Sequence, residues 1–162
     1  MTAAILLATL LVVGTSLLHL LVFRALTRGM RRVSLHPYAQ ILLILLAILA
    51  AHMVAVILYA VAYALSVQTL QIGNFSGVPM NVPLDYLYFS IVSYTSLGLG
   101  DVFPNGHLRL VTGVEALNGL LLIAWSGSFI FIAMGRIWPW ESVSPAHQGR
   151  VSEKPAVEKP EY

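Results

Sequence analysis

From Thr2 to Phe23 the chain carries no charged residue, and only Thr9, Gly14, Thr15, Ser16 and His19 soften its apolar run. A helix through such a run has no polar face to turn toward water, and about 20 residues cross the hydrocarbon core of a bilayer. The pattern recurs twice. Ala39 to Ser66 is uncharged, with His52 as its most polar interior residue, and Leu108 to Met134 carries only Arg109 and Glu115 as charged groups. These segments set the fold class as an all-α membrane protein with three transmembrane helices. Only 10% of the residues are charged and the mean hydropathy is +0.82, whereas an ordinary soluble domain is about 25% charged. A secretory signal would place basic residues ahead of a shorter apolar core. Here the first Lys or Arg is Arg24, so the first segment is read as a retained helix.

Between the first two spans, Arg24, Arg28, Arg31 and Arg32 occupy a stretch without acids that reads as a basic loop ending near Tyr38. The second span exceeds what a bilayer needs and is expected to tilt or protrude. Val67 to Pro83, with Gly73, Asn74, Gly77 and Pro79, reads as an exposed loop. Leu84 to Thr95 is apolar and aromatic but only about half a span long, the length of a re-entrant or buried segment. Asn81 is a candidate cap for it, Pro83 suits its first turn, and Asp85 sits at the positive end of its dipole. Trp138 and Trp140 stand where an interfacial belt is expected. Glu141 to Tyr162, with Pro145, Pro155 and Pro160, is expected to be disordered. The chain divides accordingly into residues 1–38, 39–138 and 139–162.

Three full spans and one re-entrant segment place the arginine stretch and the tail on one side. Of the nine Lys and Arg residues only Arg109 falls on the other, and the positive-inside rule makes the basic side cytoplasmic. The expected placement is multi-pass in a plasma (inner) membrane, N-terminus outside and C-terminus cytoplasmic, in contact with membrane lipid.

Several chemistries are excluded. There are no cysteines, hence no disulfides, thiol nucleophiles or thiolate metal sites. The formal charge of +2 comes from residues beside apolar runs, not from a basic face interleaved with aromatics, so no nucleic-acid partner is expected. No metal-ligand spacing, nucleophile elbow or paired carboxylates appear. The expectation is therefore no enzyme activity, no cofactor and no small-molecule substrate.

After the half-span comes Thr95-Ser96-Leu97-Gly98-Leu99-Gly100-Asp101. Non-helical backbone at membrane depth is tolerated only where it is buried in protein or lines water. Glycines at alternate positions permit positive φ, which lets successive carbonyls turn toward a common axis and replace the hydration shell of a cation. The half-helix directs its negative C-terminal end at the same place. A phosphate-cradling loop would need a third glycine or Gly-Lys-Ser/Thr after a strand, and neither is present.

Ser96-Leu97-Gly98-Leu99-Gly100-Asp101 resembles the potassium-channel signature Thr-Val-Gly-Tyr-Gly-Asp. With the half-helix before it, Pro104 three residues beyond Asp101 and a span after it, residues 80 to 135 look like the two-helix pore module of the small bacterial potassium-channel family, here with one extra N-terminal helix. The resemblance implies a pore helix, a selectivity filter and an inner helix. Ser96, Leu97, Gly98, Leu99 and Gly100 would bind potassium, the first four in particular through backbone carbonyls, with Thr95, Asp101, Glu115 and Asn118 supporting the filter. Leu99 replaces the usual Tyr, so the hydroxyl that ties the filter to surrounding aromatics is absent. Val92 stands where some bacterial channels have a Glu that partners the filter Asp. Four loops enclose the ion in such filters, which implies a homotetramer with a central pore.

Other polar residues carry two readings each. Glu115 and Asn118, three apart on one helix face, either pack behind the filter near Ser90, Ser93 or Tyr94, or place a ring of Glu115 side chains in the cavity. The opposite face presents Leu120, Ala124, Gly127 and Phe131. Gly119 matches a family gating hinge, or serves close helix packing together with Gly113 and Gly127. His19 and His52 either sense pH or make an interhelical hydrogen bond. The functional expectation is a passive potassium-type cation channel. The alternatives are a weakly selective or non-selective cation channel, or a non-conducting membrane interaction protein that keeps the pore fold.

Overall fold

The computed structural model describes residues 1–30 and 35–137. Among the described residues three helices are long and apolar enough to cross a membrane: α1 (Thr2–Met30), α2 (Pro37–Gln68) and α4 (Leu108–Ile137). Between α2 and α4 lies the short helix α3 (Pro83–Tyr94). The chain is thus an all-α membrane protein with three spans, as its uncharged runs predict. The expected belt at Trp138 and Trp140 and the expected disorder of the tail lie outside the described residues.

α1 corrects one expectation. The helix does not stop at Phe23 but continues through Arg24 and Arg28. Arg, Ala and Leu are good helix formers, and Thr27 returns its hydroxyl to the Phe23 carbonyl at 2.8 Å. Charge ended the span without ending the helix. α2 opens with Pro37 in its first turn, where the missing N–H has no helical partner to lose.

The Val67–Pro83 segment is also more ordered than a loop. Phe75–Gly77 forms strand β1, which pairs antiparallel with β2 (Val102–Pro104), setting Phe75 opposite Pro104 and Gly77 opposite Val102. The ribbon is prolonged at both ends, by Val78 N–H to the Asp101 carbonyl at 3.0 Å and Asn105 N–H to the Asn74 carbonyl at 2.8 Å. Gly77, at φ +97°, passes against the Asp101 carbonyl where a Cβ would overlap it. Phe75 anchors the ribbon on Phe89, 4.8 Å between ring centroids, and on Tyr63 and Tyr86. At the start of α3, Asp85 rather than Asn81 supplies the cap. Its Oδ2 accepts the backbone N–H of Asn81 at 2.7 Å and of Val82 at 2.9 Å. Asn81 contributes its backbone because the chain passes over the Asp85 side chain there.

α3 packs between α2 and α4, and α1 packs on both α2 and α4. One apolar cluster gathers Ala4 and Leu11 of α1, Tyr59 and Tyr63 of α2, Phe89 and Tyr94 of α3, and Leu108 and Leu122 of α4. A second joins Phe23 and Leu26 to Ile44, Ile48 and Ala133 at the opposite end. The N-terminal helix is therefore part of the same packed unit as α2–α4. Large apolar side chains such as Leu6, Leu10, Leu46 and Leu49 remain exposed on the outer faces of α1 and α2, as lipid contact requires.

Candidate functional site

α3 ends at Tyr94, and the next residues fold back on its last turn. Thr95 N–H and Oγ1 both donate to the Ile91 carbonyl, at 3.1 and 2.7 Å; Ser96 N–H donates to Ser93 and Leu97 N–H to Val92. These bonds satisfy carbonyls that a helix end otherwise leaves open. Beyond them the backbone alternates: Ser96, Gly98 and Gly100 have φ of +56°, +59° and +76°, while Leu97 and Leu99 are not left-handed. Positive φ in a residue with a Cβ is uncommon, and such strain gathers at functional sites. Residues 95–100 are all exposed, and a Cβ added at Gly98 or Gly100 would meet nothing within 4 Å. The two glycines are needed for conformation, with no crowding involved.

Asp101 lies beside this stretch, and its Oδ2 accepts the Tyr88 hydroxyl at 2.7 Å. Tyr88 stands on α3, so the two ends of the glycine stretch are tied to one helix. The sequence left Asp101 without a donor; its partner was readable only as one aromatic among several in the half-span.

Glu115 is fully buried. Its Oε1 lies 2.6 Å from Ser90 Oγ, and its Oε2 accepts the Tyr63 hydroxyl. Of the two positions open to Glu115, the structure places it inside the subunit against the back of α3. Ser90 Oγ also lies 2.9 Å from the Val56 carbonyl, yet a serine has only one hydrogen. Ser90 can give it to Val56 if the carboxyl carries a proton and donates to Ser90. Every hydroxyl in the cluster then has its own acceptor, since Thr112 gives its hydrogen to the Leu108 carbonyl at 3.0 Å.

Asn118 is nearly fully buried, and its Nδ2 donates to Thr15 Oγ1 at 2.8 Å and to the Tyr59 hydroxyl at 3.1 Å. It joins α4 to α1 and α2 and makes no hydrogen bond with the glycine stretch; its Oδ1 has no protein partner. Thr15 had no signal in the sequence, because a lone threonine in an apolar span ordinarily bonds its own helix, as this one also does to Leu11. Gly119 sits against the Tyr94 carbonyl, which a Cβ would overlap. Its size is what lets α4 reach the end of α3. Gly113 and Gly127 show no such contact within the chain.

On the other face of α4, Leu120, Ala124, Gly127 and Phe131 are exposed, Leu120 by 50% and Phe131 by 69%. No other element of the chain covers this apolar face among the described residues.

Residues 41–136 match a family model whose description is "Ion channel". No curated protein and no solved structure matches the chain.

Proposed function

Because the chain belongs to the ion channel family, whose model spans residues 41–136, we propose that it conducts potassium-type cations through a pore built by four copies of itself. The observation that carries this reading is the alternation of left-handed φ at Ser96, Gly98 and Gly100. Alternating handedness turns successive carbonyls to one side of the strand, where those of Ser96, Leu97, Gly98, Leu99 and Gly100 replace the water around a cation. One such strand cannot surround an ion, and closed cyclic symmetry is the usual way to gather identical elements. The exposed faces of Leu120, Ala124, Gly127 and Phe131 then line the inner cavity, and neighbouring subunits cover the rest.

The carbonyls bind partly dehydrated potassium at several adjacent sites. Repulsion between neighbouring ions moves them along, since binding is strong enough to admit an ion and weak enough to release it. Thr95 and Asp101 hold the two ends of the filter, and Glu115 braces α3 behind it. Asn118 acts at one remove by seating α4 on α1 and α2. In the membrane, the basic ends of α1 and α4 face the cytoplasm and the β ribbon faces outward, in a plasma (inner) membrane.

Cation flux through purified protein in liposomes, with potassium and sodium gradients tested separately, decides between readings. Flux of potassium without sodium, abolished by Gly98→Ala, is the expected result. Equal flux of both ions would replace it with a weakly selective channel, a reading favoured by Leu99, which is 57% exposed and has no hydroxyl to anchor the filter. No flux from an inserted tetramer, in either salt and at any pH, would leave a non-conducting pore fold.

A further inference from the structure

Two imidazoles meet where α1 crosses α2: His19 Nε2 lies 3.3 Å from His52 Nδ1. His19 is fully buried and His52 half-buried. On its other side, His19 Nδ1 stands 2.8 Å from the Thr15 carbonyl. A carbonyl only accepts, so Nδ1 carries the hydrogen and neutral His19 turns a bare lone pair toward His52.

His52 then has two arrangements. With its hydrogen on Nδ1 it donates to His19, and its Nε2, 3.0 Å from Ser126 Oγ, accepts the serine hydrogen. With its hydrogen on Nε2 it donates to Ser126, and Nδ1 accepts from the Tyr94 hydroxyl at 2.9 Å. The second arrangement leaves two lone pairs facing each other across the His19–His52 contact. One proton added at His19 Nε2 removes that conflict. His19 then donates at both nitrogens, to Thr15 and to His52, His52 donates to Ser126, and the Tyr94 hydroxyl gives up the Nδ1 lone pair that His19 now uses. Ser126 changes from donor to acceptor and must send its own hydrogen elsewhere.

We propose that the His19–His52 pair takes up one proton from water and, by reversing the hydrogen bond at Ser126, makes conduction depend on pH. This regulation rests on the channel reading above. The contacts run to both parts of the pore. Tyr94 is the last residue of α3, its carbonyl faces Gly119 of α4, and the filter begins two residues later at Ser96. On α4, Ser126 adjoins Trp125, which meets Phe23 edge-on at 5.0 Å between centroids. Phe23 also stacks on Phe129 at 4.5 Å and touches the edge of His19 at 6.1 Å. A change at the imidazole pair therefore reaches the inner helix through hydrogen bonds and through this aromatic clasp.

The groups facing the pair are few. α1 presents His19 and the Thr15 carbonyl, α2 presents His52, α3 presents the Tyr94 phenol, and α4 presents Ser126. Tyr59 of α2 is engaged with Asn118, and Glu115 of α4 with Ser90 and Tyr63. No carboxylate bonds to either imidazole among the described residues, so the added charge has no counter-ion there. A conformation that admits water to the pair gains on protonation.

The test measures potassium flux from liposomes between about pH 5 and 8, the range in which histidine titrates, together with nitrogen NMR of the histidine side chains in the same protein. The NMR titration is expected to show one proton taken up by the pair, with flux changing at the same midpoint. A one-unit difference in proton affinity between two conformations shifts their ratio by up to about tenfold. His19→Gln and His52→Gln should each abolish the pH response. Ser126→Ala should keep the NMR titration but lose the flux response, which a purely structural histidine pair would not produce. Flux that is flat with pH, a response that survives both Gln variants, or imidazoles that keep one protonation state throughout would overturn the proposal. Should the Gln variants fail to assemble, the wild-type titration and Ser126→Ala decide it. Absence of flux at every pH defeats the channel reading instead, and NMR still shows whether the pair binds the proton.

Discussion

The Ser90 hydroxyl lies 2.6 Å from Oε1 of Glu115, joining the middle of α3 to the N-terminal half of α4 inside the apolar core of the chain. Tyr63 completes the bond set from α2, so three helices meet on one carboxyl group. Removing it leaves Ser90 with the Val56 carbonyl at 2.9 Å and Tyr63 with the Thr112 hydroxyl oxygen at 3.2 Å, and a lost hydrogen bond costs about 0.5–1.5 kcal/mol. Glu115→Ala should lower the thermal stability of the assembled protein and weaken its preference for potassium over sodium. Glu115→Gln should stay close to wild type in both, since an amide supplies the same donor that a protonated carboxyl would. A thermal melt beside paired potassium and sodium flux checks this; equal losses in the two variants would show that charge, and not hydrogen bonding, is what matters.

Tyr88→Phe removes the donor to Asp101 while keeping the ring. Tyr88 is partly exposed, so the stability change should stay within about 1 kcal/mol. Asp101 then loses its tie to α3. Flux under a sustained potassium gradient should start near the wild-type rate and decline faster. An unchanged time course would mean that the Asp101 tether does not hold the filter.

Gly119→Ala drives a methyl into the Tyr94 carbonyl. Overpacking of this kind costs about 1–3 kcal/mol, more than the ~1 kcal/mol that Ala gains over Gly in a helix. Gly113→Ala, which meets nothing within 4 Å in the chain, should leave stability unchanged or raise it. Melting both variants separates packing at Gly119 from a role in bending alone, which would leave the melting temperature near wild type.

Thr15 and Asn118 join the first and last spans. A double-mutant cycle with Thr15→Val and Asn118→Leu, read by unfolding in detergent, should give a coupling of about 0.6 kcal/mol, the usual size for polar pairs between membrane helices. Zero coupling would show that α1 is held by its apolar contacts without this bond.

The three spans and the half-span were legible because lack of charge and segment length act locally along the chain. Even so, charge proved a poor guide to where α1 ends: arginine is at home in a helix, and Arg24 and Arg28 only mark where the lipid stops. The ribbon escaped notice because three-residue strands show no alternation to read, and Phe75 and Val102 are brought together by the segment between them. The partners of the polar residues were harder still. Glu115 announces by its position that it needs donors, but Tyr63, 52 positions away, looks like any aromatic in a span. Thr15 and Asn118, separated by 103 positions, leave no mark on each other's surroundings. Periodicity records which face of a helix is buried, and it is silent on which polar atoms meet there.

The β ribbon makes the stretch before α3 and the stretch after Gly100 one piece of backbone. Residues 75–77 cannot shift without carrying 102–104, and Asp101 is gripped from both sides, by Val78 through its carbonyl and by Tyr88 through its carboxylate. On the channel reading proposed above, this ribbon is mechanically continuous with the mouth of the pathway. An antibody fragment or peptide that gripped the Asn74–Val78 edge would then pull directly on the Asp101 end of the glycine stretch.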